Sequence, residues 1–197
     1  MRKHIRFLIH VWARVWFLLL NYSAFRKLGR SAFIASPYRL DGAESIEIGE
    51  RTFMQRGMWL YCGQIEDATI PKLVVGKHCV FGYNNHITCV GSLEIGDKVL
   101  TANNVYISDN VHDYEDIHCP IVDQPIVFKG PVVIGDGCWL GENVVIIAAS
   151  VGKNCVIGAN AVVVHDIPDY SVAVGIPAVV IRRFDIEKQE WVSVSKK

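Results

Sequence analysis

The sequence of 197 residues lacks several features that would assign it to a common class of protein. It has no net charge, because 20 basic residues balance 20 acidic ones, and this argues against nucleic acid as the main partner. None of its six cysteines forms a Cys-x-x-Cys pair, which excludes a zinc ribbon and a thioredoxin-like redox site. No apolar run is both long and free of charge, so a transmembrane helix is not expected. The length suits one domain.

The charge balance conceals an asymmetry along the chain. Residues 1–40 contain eight Lys or Arg and no acidic residue. Within them, the apolar and aromatic stretch 4–22 is interrupted by Arg6 and Arg14, which makes it a poor spanning helix and a poor secretory signal. We expect residues 1–34 to form a basic amphipathic helical segment that lies on a membrane surface. A helix packed on the main domain or in a trimer is the alternative.

An internal repeat of six residues dominates the rest of the sequence. Each hexad combines a short strand with a bend. Its first position holds an aliphatic residue that points inward. Its second position often holds Gly, which tolerates the backbone conformation of the bend. Three hexads form a triangular coil of about 18 residues, and coils stack at the spacing of ~4.8 Å between strands. The period predicts an all-β solenoid, a parallel β-helix, without fixing its hand. The aliphatic-Gly pairs are Ile48-Gly49, Val75-Gly76, Ile95-Gly96, Ile134-Gly135, Leu140-Gly141, Val151-Gly152 and Ile157-Gly158.

The fifth position of the hexad carries a small residue that also points inward. Cysteines occupy it three times, at Cys79, Cys138 and Cys155. We interpret them as small apolar core groups, and all six cysteines as reduced thiols of a cytosolic protein.

The repeat is interrupted most clearly by residues 110–133, which are too many for a bend. An excursion loop of this length is usually functional rather than structural. We therefore expect a β-helix domain over residues 35–184, with loop 110–133 projecting from it, and a C-terminal tail over residues 185–197.

Four motifs follow one another on this hexad background: Ile95-Gly96 with His112, the run 131–141 (PVVIGDGCWLG), the run 162–168 (VVVHDIP) and the closing turn 175–178 (GIPA). In these motifs the sequence resembles the hexapeptide-repeat acetyltransferases, especially the maltose, galactoside and polysaccharide O-acetyltransferase group. The resemblance covers roughly residues 35–184. It implies a left-handed coil, acetyl-CoA as the acyl donor, and a homotrimer with sites in clefts between subunits.

The resemblance also implies which residue is catalytic. Members of the family carry a general-base histidine at the start of the long loop, sixteen residues after the Gly of the preceding repeat. Gly96 and His112 have that spacing. A neutral imidazole can accept a proton from a sugar hydroxyl or amine near pH 7, which frees the nucleophile to attack the thioester directly.

For the donor, the resemblance implies that Trp139 lies beside the pantetheine arm of CoA. Gly141 and Ala159 then line the CoA channel, and Arg182 attracts phosphate. His165 stands where the family usually has Lys, and a protonated imidazole there is expected to bind CoA phosphates. We expect no metal site.

The acceptor-binding residues are predicted from less specific evidence. Asn84 and Asn85 lie near the positions where the galactoside group places polar ligands, although they equally suit a turn of the chain. Asp113 and Tyr114 on the long loop offer hydrogen bonds to sugar hydroxyls. We expect a sugar or lipid-linked saccharide as the acceptor, in surface polysaccharide biosynthesis. The protein is expected in the cytoplasm, at the inner face of the membrane if stretch 4–22 binds lipid.

Three alternatives remain open at this point. A metal-dependent protein like the γ-class carbonic anhydrases would need three histidine ligands, and His86, His112 and His118 are the available set. A β-helical scaffold without catalysis would need no excursion loop. A covalent acetyl-enzyme on Cys119 is the third alternative.

Overall fold

The computed structural model describes Trp12, Phe17 and residues 23–65 and 70–194. Most of the predicted N-terminal helical segment, including stretch 4–22, therefore lies outside the described residues. No helix among the residues that are described is long and apolar enough to span a bilayer.

The described chain is an all-β solenoid whose strands form three faces, A, B and C, in turn. The first face holds β1 (Lys27–Leu28), β4 (Ile46–Ile48), β7 (Lys72–Val75), β10 (Ser92–Ile95) and β15 (Val132–Ile134). The second begins with β2 (Phe33–Ile34), β5 (Phe53–Met54), β8 (Val80–Phe81), β11 (Leu100–Thr101), β16 (Trp139–Leu140), β18 (Val156–Ile157) and β20 (Ser171–Val174). The third holds β3 (Arg39–Asp41), β6 (Trp59–Cys62), β9 (His86–Cys89), β12 (Tyr106–Ser108), β17 (Val145–Ile147) and β19 (Val162–Val163).

Strands on each of these faces pair in parallel with the equivalent strand one coil away, which confirms the predicted parallel solenoid. The inward side chains stack into continuous apolar columns, such as Leu60, Ile87, Ile107 and Ile146 on face C. Two short 3-10 helices, Ala43–Ser45 and Ile121–Asp123, lie between strands of the described chain.

The cysteines at the fifth hexad position lie where the repeat predicts. Cys79, Cys138 and Cys155 are buried in the single core, and all six cysteines are free thiols. Burial raises the pKa of the Cys79 thiol. This thiol therefore stays protonated near neutral pH and serves as a small core group.

The bends work differently from the sequence-based expectation. The left-handed backbone falls on the fourth hexad position, with φ values of 57° at Lys98 and 56° at Asn104, and not on the Gly in second place. That Gly is required by close approach instead. A β-carbon on Gly135 would lie 2.7 Å from the carbonyl carbon of Gly152 in the next coil. Stacking at this spacing leaves no room for a side chain there.

Both predicted domain boundaries differ from the structure. Lys27–Leu28 and Phe33–Ile34 already belong to the first coil, so the solenoid begins before residue 35. Phe17 packs on this coil, with its ring centroid 5.7 Å from that of Phe33. The expected C-terminal tail contains a strand: β21 (Val179–Asp185) and β22 (Glu190–Ser193) pair in antiparallel fashion and extend face B.

The stacked core makes a direct prediction for stability. Phe81 is completely buried, whereas Val80, the preceding residue, points outward with 44% of its surface exposed. We expect Phe81→Ala to lower the free energy of unfolding by about 3–5 kcal/mol, because a large cavity opens in the column. Val80→Ala should change it by less than about 0.5 kcal/mol. Denaturant titration of both variants measures the difference, and equal effects would contradict the assigned directions.

Candidate active site

A β-hairpin leaves the solenoid at the corner between faces C and A and carries His112. Its strands are β13 (Asn110–His112) and β14 (Ile126–Phe128), which pair in antiparallel register with His112 opposite Ile126. This hairpin occupies the excursion at 110–133, so the predicted loop is partly ordered by its own strand pairing.

A buried carboxylate anchors the base of the hairpin. Asp109 has no exposed surface, and its two oxygens accept hydrogen bonds from the backbone N–H groups of Val90 and Gly91, each at 2.9 Å. The side-chain amide of Asn110 donates a further bond to Asp109 at 2.8 Å. Several donors offset the cost of burying this charge. The carboxylate thereby ties the hairpin to the corner of the preceding coil.

Three further contacts fix the hairpin against the solenoid. The Ser108 hydroxyl donates a hydrogen bond to the backbone carbonyl of Asn110 at 2.6 Å, and the Lys129 N–H donates to the backbone carbonyl of Asp109 at 3.0 Å. The ring of Phe128 lies directly on Gly91, where a β-carbon would collide with it. The two ends of the excursion are thus held at one corner.

The pairing also determines the direction in which His112 points. Residues two apart on a strand, and residues directly opposite in an antiparallel pair, share one side of the hairpin. His112 and Ile126 therefore share the side of Asn110 and Phe128, which contact the solenoid. The imidazole is exposed and makes no hydrogen bond to any described residue. It is a free proton acceptor on the solenoid side of an anchored strand pair.

The loop tip is organised by its own side chains. The buried amide of Gln124 donates to the backbone carbonyls of Asp116 and Cys119 at 2.9 and 2.7 Å. The Asp113 carboxylate accepts the N–H of Tyr114 at 2.8 Å, so it stabilises a turn, while the Tyr114 ring is exposed. A direct acceptor contact by Asp113 and Tyr114 stays a prediction.

The structure places the predicted acceptor ligands Asn84 and Asn85 in structural roles. Asn85 is buried, donates to the Thr101 hydroxyl at 2.6 Å and accepts the Val105 N–H at 2.7 Å. Asn84 has a left-handed backbone with φ of 55° and donates to Asn104 at 3.4 Å, in a ladder of corner amides. Both amides are bonded to a neighbouring coil, which suits a turn of the chain, and an acceptor contact by the exposed Asn84 stays a prediction.

The predicted donor residues lie on a different part of the solenoid. Trp139 points outward from face B with 50% of its surface exposed. Gly141 and Ala159 lie at the corner between faces B and C, where a β-carbon on Gly141 would come 2.7 Å from the backbone N of Ala159. The hexad spacing itself therefore requires Gly141, whatever else approaches it.

The two predicted phosphate-binding residues also lie apart. His165 is exposed at the corner between faces C and A, two coils beyond the hairpin. Arg182 lies on β21, donates to the Trp191 carbonyl at 3.4 Å and has its guanidinium carbon 5.9 Å from the Trp191 ring centroid. Its charge remains exposed to solvent.

One chain does not bring these predicted residues into one cluster. His112 leaves the corner opposite face B, and Trp139 lies on face B itself. In a triangular prism a corner and the facing side point in opposite directions. A site that uses both residues therefore needs face B of another copy beside the hairpin.

Sequence reasoning missed two features of this region. Asp109 carries a weak signal, because it is a polar residue at the place where the repeat breaks. The second feature is an aromatic stack on the outside of face C, where the ring of His86 lies parallel to that of Trp59 at 4.0 Å and 5.0 Å from that of Tyr106. Burial lowers the pKa of His86.

The histidines of the metal alternative are not gathered in the described chain. His86 is held in the aromatic stack on face C, while His112 and His118 lie on the excursion. Among the described residues, no three His, Cys, Asp or Glu side chains are close enough together to hold a metal ion.

Comparison with known proteins agrees with this architecture. A family model described as the hexapeptide repeat of succinyl-transferase matches residues 72–109 and 131–165, the two stretches that flank the hairpin. A probable acetyltransferase of Mycobacterium tuberculosis is 40% identical over 111 residues, which cover 55% of this chain. The chain therefore carries the hexapeptide repeat and is similar in sequence to an acetyltransferase. The matched stretch spans only 37% of the length of the mycobacterial relative.

Solved structures of several acyltransferases share the fold. An N-acyltransferase from Bacillus cereus, in complex with dTDP and 3-hydroxybutyryl-CoA, superposes with a TM-score of 0.69 at 16% identity and covers 86% of this chain and 88% of its own. A maltose O-acetyltransferase from Clostridium difficile has a TM-score of 0.50 at 28% identity, and the match covers 83% of this chain and 72% of the other. A Vibrio cholerae acetyltransferase complexed with acetyl-CoA has a TM-score of 0.56 at 23% identity, and the match covers 85% of this chain and 75% of the other.

The anchoring role of Asp109 can be measured without any activity. Asp109→Ala leaves the N–H groups of Val90 and Gly91 buried without acceptors, and we expect a loss of about 3 kcal/mol in unfolding free energy. Hydrogen exchange at these two amides and within the hairpin should become at least tenfold faster. Glu115→Ala, an exposed carboxylate of the same loop, is the control. Unchanged exchange in Asp109→Ala would contradict the anchor.

Proposed function

We propose that the protein is an acetyl-CoA-dependent acetyltransferase that moves an acetyl group to a hydroxyl or amine of a sugar. The observation that carries the proposal is the exposed His112 imidazole on a hairpin fixed to the solenoid by buried hydrogen bonds. An imidazole that is held in place but has no hydrogen-bond partner, at the main interruption of the repeat, favours an enzyme over a non-catalytic scaffold.

Related proteins support the substrate classes of the proposal. The Bacillus cereus and Vibrio cholerae structures contain acyl-CoA ligands, and the former also contains a sugar-nucleotide fragment, dTDP. The Clostridium difficile relative is a maltose O-acetyltransferase. We therefore assign acetyl-CoA as the donor and a saccharide as the acceptor, and infer a role in surface polysaccharide biosynthesis.

The proposed reaction needs one proton acceptor and no covalent enzyme intermediate. His112 takes the proton of the sugar hydroxyl or amine as the oxygen or nitrogen attacks the thioester carbonyl. The carbonyl oxygen becomes negative and then reforms its double bond as the carbon–sulfur bond breaks. The imidazolium returns its proton to the departing CoA thiolate, so His112 is neutral again at the end of the cycle.

The donor would lie along residues that already offer suitable surfaces. The half-exposed indole of Trp139 provides a flat apolar contact for the pantetheine arm, and Ala159 presents a small exposed side chain in the next coil, at the corner between faces B and C. Arg182 and His165 would attract the phosphates. We propose that each solenoid is left-handed and that three copies form a homotrimer. Because His112 and Trp139 lie on opposite sides of one prism, neighbouring copies would complete each site.

Activity measurements with matched histidine variants test this function. Acetyl-CoA turnover against maltose, galactose and glucosamine should identify an acceptor, and His112→Ala should lower its kcat by about 10²–10⁴-fold. His118→Ala, six residues further along the same loop, should keep the wild-type rate.

Three results would contradict the proposal in different ways. Full activity of His112→Ala removes the general base. Stoichiometric zinc, lost in both histidine variants, favours the metal alternative. An acetyl group found on Cys119 by intact-protein mass spectrometry replaces direct transfer with a covalent intermediate.

We also propose that stretch 4–22 holds the enzyme at the inner surface of the membrane, near a lipid-linked acceptor. Each basic side chain close to an anionic surface contributes about 1 kcal/mol of attraction. The double charge reversal Arg6→Glu/Arg14→Glu should therefore weaken binding to phosphatidylglycerol vesicles at least about tenfold. A sedimentation assay measures this, and unchanged binding would favour a helix packed on the solenoid.

A further inference from the structure

A cleft lies between the tip of the hairpin and the end of strand β6. It has a volume of about 500 Å³ and lies between Tyr61, Gln64 and Ile65 on one wall and residues 123–126 on the other. Ile126 is the direct cross-strand partner of His112 and shares its side of the hairpin. The cleft therefore includes the residue that is paired directly with His112.

The two walls come from the two places where the chain leaves the regular coils. Tyr61 points outward from face C on β6, which ends at the next residue, Cys62. Its phenol lies over Gly63, where a β-carbon would collide with the hydroxyl group. The opposite wall belongs to the tip of the hairpin excursion. Tyr61 belongs to the stacked strands of face C, whereas Gln64, Ile65 and the hairpin tip lie outside them.

The wall at the hairpin tip is held in place before any ligand arrives. Asp123 ends a short 3-10 helix whose first turn is closed by the hydrogen bond from its N–H to the carbonyl of Pro120 at 2.9 Å. Gln124, the next residue, is buried and bonded to two carbonyls of the same loop. The Asp123 carboxylate is exposed, and no ion pair joins it to a cation of the described chain.

The lining of the cleft has the chemistry of a saccharide site. A phenol and a carboxylate offer one donor and two acceptors for the edge of a sugar ring, while Ile65, Pro125 and Ile126 offer apolar surface for its C–H face. The volume lies within the range of about 300–1,000 Å³ that is typical of small-ligand sites. The exposed indole proposed for the donor lies away from this cleft, on face B.

The geometry points to this cleft as the acceptor subsite, with Tyr61 and Asp123 as the residues that bind one saccharide unit and present its hydroxyl or amine to His112. This inference rests on the proposed acetyltransferase function and deepens it. It assigns acceptor recognition to a wall of face C and to the hairpin tip, instead of to the corner amides of Asn84 and Asn85.

Steady-state kinetics with the most active sugar of the panel of maltose, galactose and glucosamine tests the assignment. Tyr61→Phe should raise the acceptor KM about fivefold and Asp123→Asn about tenfold, since each removes one hydrogen-bonding group. The KM for acetyl-CoA and the slow hydrolysis of acetyl-CoA without acceptor should stay unchanged. Tyr38→Phe and Glu115→Gln make the same chemical changes outside the cleft and should leave the acceptor KM as in the wild type.

The outcomes separate this inference from the function on which it rests. If the wild type transfers acetyl groups and His112→Ala does not, but neither cleft variant changes the acceptor KM, the acceptor binds elsewhere and the inference is wrong. If the acetyl-CoA KM rises together with the acceptor KM, the cleft is not specific to the acceptor and the assignment also fails. If the wild type transfers acetyl to none of the sugars, the proposed function and the inference fall together.

Discussion

In-register stacking of each coil on the next is the constraint on which the structure depends. The backbone N–H groups of one coil donate to the carbonyls of the following coil, and this pairing aligns equivalent hexad positions into columns. An inward residue therefore always meets an inward residue, and a corner meets a corner. Gly135, whose missing side chain allows the next coil to approach, shows how little freedom the spacing leaves.

The same constraint determines how an insertion can carry function. A segment that leaves the coil must return to the same stack of strands. The backbone N–H and carbonyl groups at the point of departure must still find hydrogen-bond partners. The buried carboxylate of Asp109 does this by accepting the N–H groups of the preceding coil, and Phe128 occupies the space above Gly91. These contacts hold the strand that bears His112 in a fixed position relative to the solenoid.

The sequence predicts the parts of the fold that the period controls and few of those that depend on neighbouring coils. The six-residue period predicts the inward positions, the cysteines at the fifth hexad position and the excursion at 110–133. The role of Asp109 does not, because its partners Val90 and Gly91 are close only after coils have stacked. The bonds of the corner amides of Asn84 and Asn85 do not follow from the period either, since their partners lie one coil away. The C-terminal hairpin lacks the hexad pattern altogether.

The candidate site combines a predicted residue with surroundings that only the structure reveals. The family resemblance implies the role of His112, whereas the side of the hairpin on which it lies follows from pairing with Ile126. A crystal structure with bound CoA tests the central claim most directly. The account predicts the CoA sulfur within about 4 Å of the His112 imidazole, with Trp139 of a neighbouring copy along the pantetheine arm. CoA bound away from His112, or a metal ion on that imidazole, would contradict it.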